Sequence, residues 1–274
     1  MTPLMTAHLF PVLHGRLIEL LGALEPDEWA LPTVAGTWTV KDVAAHLVDT
    51  QERLIARVRG ESASPSPTID SSAALAAFIN RINAEGVTRY RQLDPAALIA
   101  LMDKGAAAFA EYFQSLDPSG VAPFGVSWAG EQTSANWFHT AREYTERWHH
   151  QQQIRLATRR PGIMTRELYH PVLDCFMRAL PFSYREKPAA PGAVVRFTIT
   201  GDCGGTWSLH RDAGGWRLGD STSDDVVSEI AVPQEIAWQV FTKGISRDAA
   251  RGQVRVSGDP ELGLHLLSTI AIVA

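Results

Sequence analysis

The period at which apolar side chains recur changes once along this chain, and that change limits the possible fold more than any other feature. Before residue 160 they recur every third or fourth position, the repeat of a helix with one buried face. Leu9, Leu13, Leu17, Leu20, Leu21 and Leu24 form the first such stripe, closing near Glu25-Pro26. Thr39 then stands as an N-cap with Asp42 three residues on. In such a capping box each side chain ties off a free amide of the first helical turn. Val40, Val43, Ala44, Leu47, Leu54 and Val58 carry this second helix to about Arg59. The run ESASPSPTIDSS reads as a loop, and helices follow over 72–93, 95–116 and 134–159, with the loop DPSGVAPFGVSWAG before the last. An antiparallel four-helix bundle is the economical way to bury these faces.

After Arg160-Pro161-Gly162 the pattern shifts. One more helix is expected over 166–179, then the linker REKPAAPG, and then Val194-Val195-Arg196-Phe197-Thr198-Ile199 alternates as a half-buried strand does. Residues 206–210 and 216–218, joined through RDAGG, form a hairpin pattern. A strand over 226–232, a helix over 233–243, a strand over 253–257 and a closing helix over 260–270 complete a small α+β domain. A chain of 274 residues accommodates two domains, and the expected division is 1–162, all helical, and 163–274, α+β.

Charge and cysteine content remove several function classes. Lys plus Arg number 25 against 30 Asp plus Glu, a net −5 without the basic face that displaces counterions from nucleic acid. Two cysteines, Cys175 and Cys203, support neither a disulfide framework nor a Cys-rich zinc site. The most apolar stretch, Leu262 to Ala274, contains a histidine and falls short of the ~20 apolar residues a spanning helix needs. No basic segment precedes an unbroken apolar one at the N-terminus, so no signal peptide is expected. The expectation is a soluble cytoplasmic protein, monomer or homodimer, whose partners are small molecules.

No phosphate loop, G-x-S-x-G elbow or C-x-x-C motif is present; GDCGG and AGG read as tight turns, and Cys175 among Leu173, Phe176 and Met177 reads as a buried apolar residue. The segment FHTAREYTERWHHQQQIR is different. His139, Glu143, Glu146 and His150 are spaced four, three and four apart and share one helical face, with Trp137, Ala141, Tyr144 and Trp148 on another. Two readings are open. The face is a solvated polar stripe, or Glu146 and His150 chelate one metal ion and leave positions for a remote ligand and for water. His46 in KDVAAHLVD is the best remote candidate, while Glu143 and His149 stand as alternatives and Arg142 and Arg147 flank the set.

Three stretches carry a family resemblance: Trp29-x-x-Pro32-Thr33, the block from Gly36 to Leu47 (GTWTVKDVAAHL), and Glu146-x-x-x-His150. With them the chain resembles the DinB-like superfamily, and within it the mycothiol-dependent maleylpyruvate isomerases. The tail Val254-Arg255-Val256-Ser257-Gly258-Asp259-Pro260 followed by LGLHLLSTIAIV is similar to the closing strand and helix of that family's sterol-carrier-like C-terminal domain. The resemblance implies a DinB-like bundle followed by a sterol-carrier-like domain. It also implies a divalent metal, zinc first and nickel, manganese or iron next, held by His46, Glu146 and His150. Members often carry Asp three residues after the second histidine, where this chain has Gln153. The family's substrate-binding arginine has no single counterpart, Arg247, Arg251 and Arg255 all lying in the right region. Arg142, Arg247 and Arg251 are therefore the expected substrate-binding residues.

The implied function is isomerisation or S-transfer by a low-molecular-weight thiol on a small electrophilic, carboxylated substrate. The competing expectations are a metal-dependent hydrolase that needs no thiol and a non-enzymatic carrier of an apolar ligand. A cleft between the two domains is the expected place for substrate.

Overall fold

The computed structural model describes residues 2–61, 71–219 and 225–273. The Ser/Pro-rich run expected to be a loop falls almost wholly in 62–70, outside the described residues. The helices are α1 (Phe10–Gly22), α2 (Val40–Val58), α3 (Ser72–Tyr90), α4 (Pro95–Ser115), α5 (Asn136–Thr158), α6 (Arg166–Met177), α7 (Leu180–Ser183), α8 (Gln234–Phe241), α9 (Arg247–Arg251) and α10 (Pro260–Leu264). The strands are β1 (Val194–Thr200), β2 (Gly205–Asp212), β3 (Gly215–Gly219), β4 (Val226–Pro233) and β5 (Arg255–Gly258). A helical N-terminal region followed by a small mixed sheet is the fold class the two apolar periods call for.

The packing separates a helical unit, mainly Met5–Gly120 and Glu143–Ile163, from a sheet unit, mainly Val121–Arg142 and Met164–Ile272. Residues up to Leu4 and the segment Val121–Arg142 thus fall in the sheet unit ahead of the crossing at 163/164. Helix α5 belongs to both, its first seven residues with the sheet unit and the rest with the helical unit.

In the helical unit α1, α2, α4 and α5 share one core. Leu17, Leu20 and Leu21 meet Val43, Ala44 and Leu47, Leu98 and Met102, and Ile154. Helix α3 lies along α2. The expected capping box is present: Thr39 Oγ1 accepts from Asp42 N at 3.3 Å and Asp42 Oδ2 accepts from Thr39 N at 3.0 Å. This fixes the start of the helix that carries His46. Gly105 on α4 leaves room for the Gln51 side chain, whose amide donates to Met102 O at 3.0 Å and so joins α2 to α4.

The sheet has the order β3-β2-β1-β4-β5, with β1 and β4 parallel and the other neighbours antiparallel. Phe197, Ile199, Leu209, Ile230 and Val232 are buried, as are Tyr169, Phe176, Trp238 and Phe241 from α6 and α8. Two tyrosine hydroxyls enter helical ladders. Tyr169 donates to Gln234 O at 2.8 Å and accepts from Trp238 N at 3.1 Å, an i, i+4 pair of α8. Tyr184 donates to Leu262 O at 2.7 Å and is bonded by the Leu266 amide. That insertion explains the early end of the closing helix: α10 stops at Leu264 and continues as a 3-10 turn, His265–Ser268, where sequence predicts a helix to 270. The short helices α7 and α9 have no counterpart in the sequence expectation.

Candidate metal centre

His46 lies midway along α2, and Glu146 and His150 lie one turn apart on α5, all within the helical unit. Each offers one ligand atom such that the three atoms lie within 4.8 Å of one another. One side chain ties the two helices together at this point. Arg147, between the two α5 donors, is buried; its Nη1 donates to Leu47 O at 2.9 Å and its Nη2 to Thr50 Oγ1 at 3.3 Å. Its guanidinium also stacks over Phe109 at 4.2 Å. Burial lowers its pKa to about 10, against the pull of Glu143 and Glu146, so it stays charged at neutral pH. Arg147 is thus a clamp beside the donors and not a free cation.

His46 and His150 are 4% and 7% exposed, with ring centres 4.6 Å apart, whereas the Glu146 side chain is 27% exposed. Burial, then the neighbouring His150, holds the His46 imidazole well below its usual value, with Arg53 and Arg147 adding to the effect and Glu146 opposing it. A neutral imidazole is the form that binds a metal. His46 Nδ1 is buried with no hydrogen-bond partner among the described residues, which leaves a donor available. His150 Nδ1 is bonded to Gln153 Oε1 at 2.8 Å. An amide oxygen only accepts, so Nδ1 carries a proton and Nε2, 3.5 Å from Glu146 Oε2, is the nitrogen that could face a metal. Two imidazole nitrogens and one carboxylate oxygen could hold a divalent ion, and three protein ligands would leave it an open position.

The other residues singled out by sequence go elsewhere. His149 donates from Nδ1 to Thr145 O at 2.8 Å along its own helix, and burial, then His150, lowers its pKa to about 4. Glu143 approaches Arg147 at 3.9 Å. His139 and Arg142 face each other at 3.5 Å beside Phe124, in the sheet unit. Arg247, Arg251 and Arg255 are exposed on α9 and at the start of β5, also in the sheet unit. Trp38 lies against both histidines, its ring centre 4.9 Å from His46 and 6.2 Å from His150. No spacing rule links position 38 to position 150. Only the Gly-Thr-Trp-Thr turn into α2 places the indole there.

Comparison with known proteins bears on the family and the fold. No curated protein matches the chain. A solved structure of the mycothiol-dependent maleylpyruvate isomerase is similar at a TM-score of 0.53 and 13% identity, over 92% of this chain and 91% of that one. A mutant of that isomerase is similar at 0.53 and 11% identity over the same shares. At such identities the likeness is one of fold. The family model described as the mycothiol maleylpyruvate isomerase N-terminal domain matches residues 10–155, more than half of the chain and all three clustered donors, and the chain belongs to that family.

Proposed function

We propose that this protein is a metal-dependent enzyme that uses a low-molecular-weight thiol, mycothiol or a close chemical relative, on a small electrophilic substrate. Isomerisation of a carboxylated alkene of the maleylpyruvate type is the first candidate, and S-transfer to an epoxide or halide the second. The observation that carries this is the convergence of His46, Glu146 and His150 within 4.8 Å in a chain of this family. We take these three as the ligands and zinc as the ion. His46, Glu146 and His150 would hold the cation, which would supply a lowered thiol pKa and so a thiolate at neutral pH.

The chain's own groups support an outside sulfur. Cys175 is wholly buried, and burial pushes its thiol far up. Cys203 Sγ donates to Met164 O at 3.2 Å, and its thiol too is raised by burial. Neither furnishes a thiolate at neutral pH. Two neutral imidazoles and one carboxylate bring a single negative charge, so a dication leaves +1 for one anion to balance. Addition of a thiolate to the alkene carbon conjugated with the substrate carbonyl would push the π pair into an enolate and leave a single bond; rotation, and expulsion of the same thiolate as the enolate pair re-forms the double bond, would return the trans isomer and the thiolate. Arg142, Arg247 and Arg251 are our candidates for a substrate carboxylate, which a guanidinium can meet with two parallel bonds. Two unpaired cysteines and a diffusible reduced thiol both favour the cytoplasm.

The test is turnover of maleylpyruvate and of an aryl epoxide by zinc-loaded protein with and without mycothiol. Turnover that requires the thiol, and a KM raised in at least one of the three arginine variants at unchanged metal content, is the expected result. Turnover without thiol would make the protein a metal hydrolase. Absence of turnover together with a copurifying apolar ligand would make it a carrier.

A further inference from the structure

Trp38 closes one side of the donor cluster. Its indole is inclined 30° to the His150 ring and 44° to the His46 ring, and both imidazoles are buried while Glu146 is partly exposed. The cluster is therefore open towards Glu146 and walled by indole on the histidine side. Backbone hydrogen bonds hold the turn that carries the indole. Trp38 N donates to Ala35 O at 3.1 Å, and Trp38 O accepts from Thr33 N at 3.0 Å and from Thr33 Oγ1 at 2.7 Å. The next residue, Thr39, is the N-cap of α2, and Gly36 takes the left-handed conformation, φ +62, that this turn requires. The partly buried indole also packs on the core of the helical unit.

An aromatic face offers no hydrogen bond in its plane normal beyond weak contacts, so a small hydrated anion placed against it loses water without replacement. A polarizable sulfur and the carbon next to it lose little water and gain contact with the ring. We infer that Trp38 is a specificity-determining residue of this site, selecting an organic sulfur ligand over small hydrophilic anions. The inference rests on the metal–thiol reading above.

The experiment uses full-length protein loaded with cobalt, whose visible absorption counts the metal. The probes are N-acetylcysteamine, a neutral thiol followed by its sulfur-to-cobalt absorption band, and azide. Trp38→Ala should keep its cobalt, bind the thiol about tenfold more weakly and bind azide within about twofold of wild type, tenfold being near the upper end for a sulfur–aromatic contact. Trp38→Phe should recover most of the thiol affinity. Equal losses for thiol and azide, an unchanged thiol affinity, or loss of cobalt from both folded variants would overturn the inference while leaving the metal–thiol reading standing. Wild-type protein that takes up no cobalt, or shows no sulfur band, would overturn both.

Discussion

At the scale of single residues, Gln153 is the group that sets the chemistry of His150. Its amide oxygen accepts the Nδ1 proton at 2.8 Å, and so fixes which nitrogen is free for a metal. A carboxylate at this position would polarise the ring more strongly; the amide keeps the ligand set one negative charge lighter. Replacing it with Leu removes the acceptor from a buried imidazole. Metal affinity, measured by competition with a chromophoric chelator, should fall about 10- to 100-fold in Gln153→Leu, and Gln153→Glu should restore it. Equal affinity in wild type and Gln153→Leu would show that packing alone orients His150. The i, i+4 pair Glu146/His150 and the helical position of His46 can be read from the letters. The choice of His150 over His149 cannot, because it depends on the Thr145 carbonyl taking the His149 proton. Nor can the reach of Arg147 to Leu47 O, which spans a hundred positions.

Elements differ in how openly the chain announces them. Helix α2 is legible because both ends of its cap are local, and Thr39 and Asp42 meet across three residues. Helix α10 is not, because what shortens it comes from far away in sequence. The Tyr184 hydroxyl takes the Leu262 carbonyl that would otherwise serve the helical ladder. Tyr169 does the same to α8. Their burial raises both phenols, so each hydroxyl keeps its proton and its dual role at neutral pH. Tyr184→Phe deletes two hydrogen bonds but allows the backbone pair to rejoin, so the net loss should be about 1–2 kcal/mol in denaturant unfolding. A loss above roughly 4 kcal/mol would mean that the ladder cannot re-form.

Across the whole molecule, the change of apolar period near residue 160 is enough to separate bundle from sheet. It is not enough to place residues 121–142, which pack in the sheet unit although α5 continues unbroken through residue 142. The contacts responsible are Trp137 under Arg178 at 4.7 Å and the close approach of Gly130 to Phe182, pairs distant in sequence and invisible to any local pattern. All three donors nevertheless fall in one unit, so the candidate centre does not depend on how that boundary is drawn. The central claim is that His46, Glu146 and His150 hold one divalent ion, and elemental analysis of protein purified without chelator tests it most directly. About one metal per chain is expected in the wild type, zinc foremost, with its loss in both His46→Ala and His150→Ala and the helical circular dichroism retained. Wild-type protein that holds no metal even after incubation with zinc, or variants that both keep theirs, would contradict it.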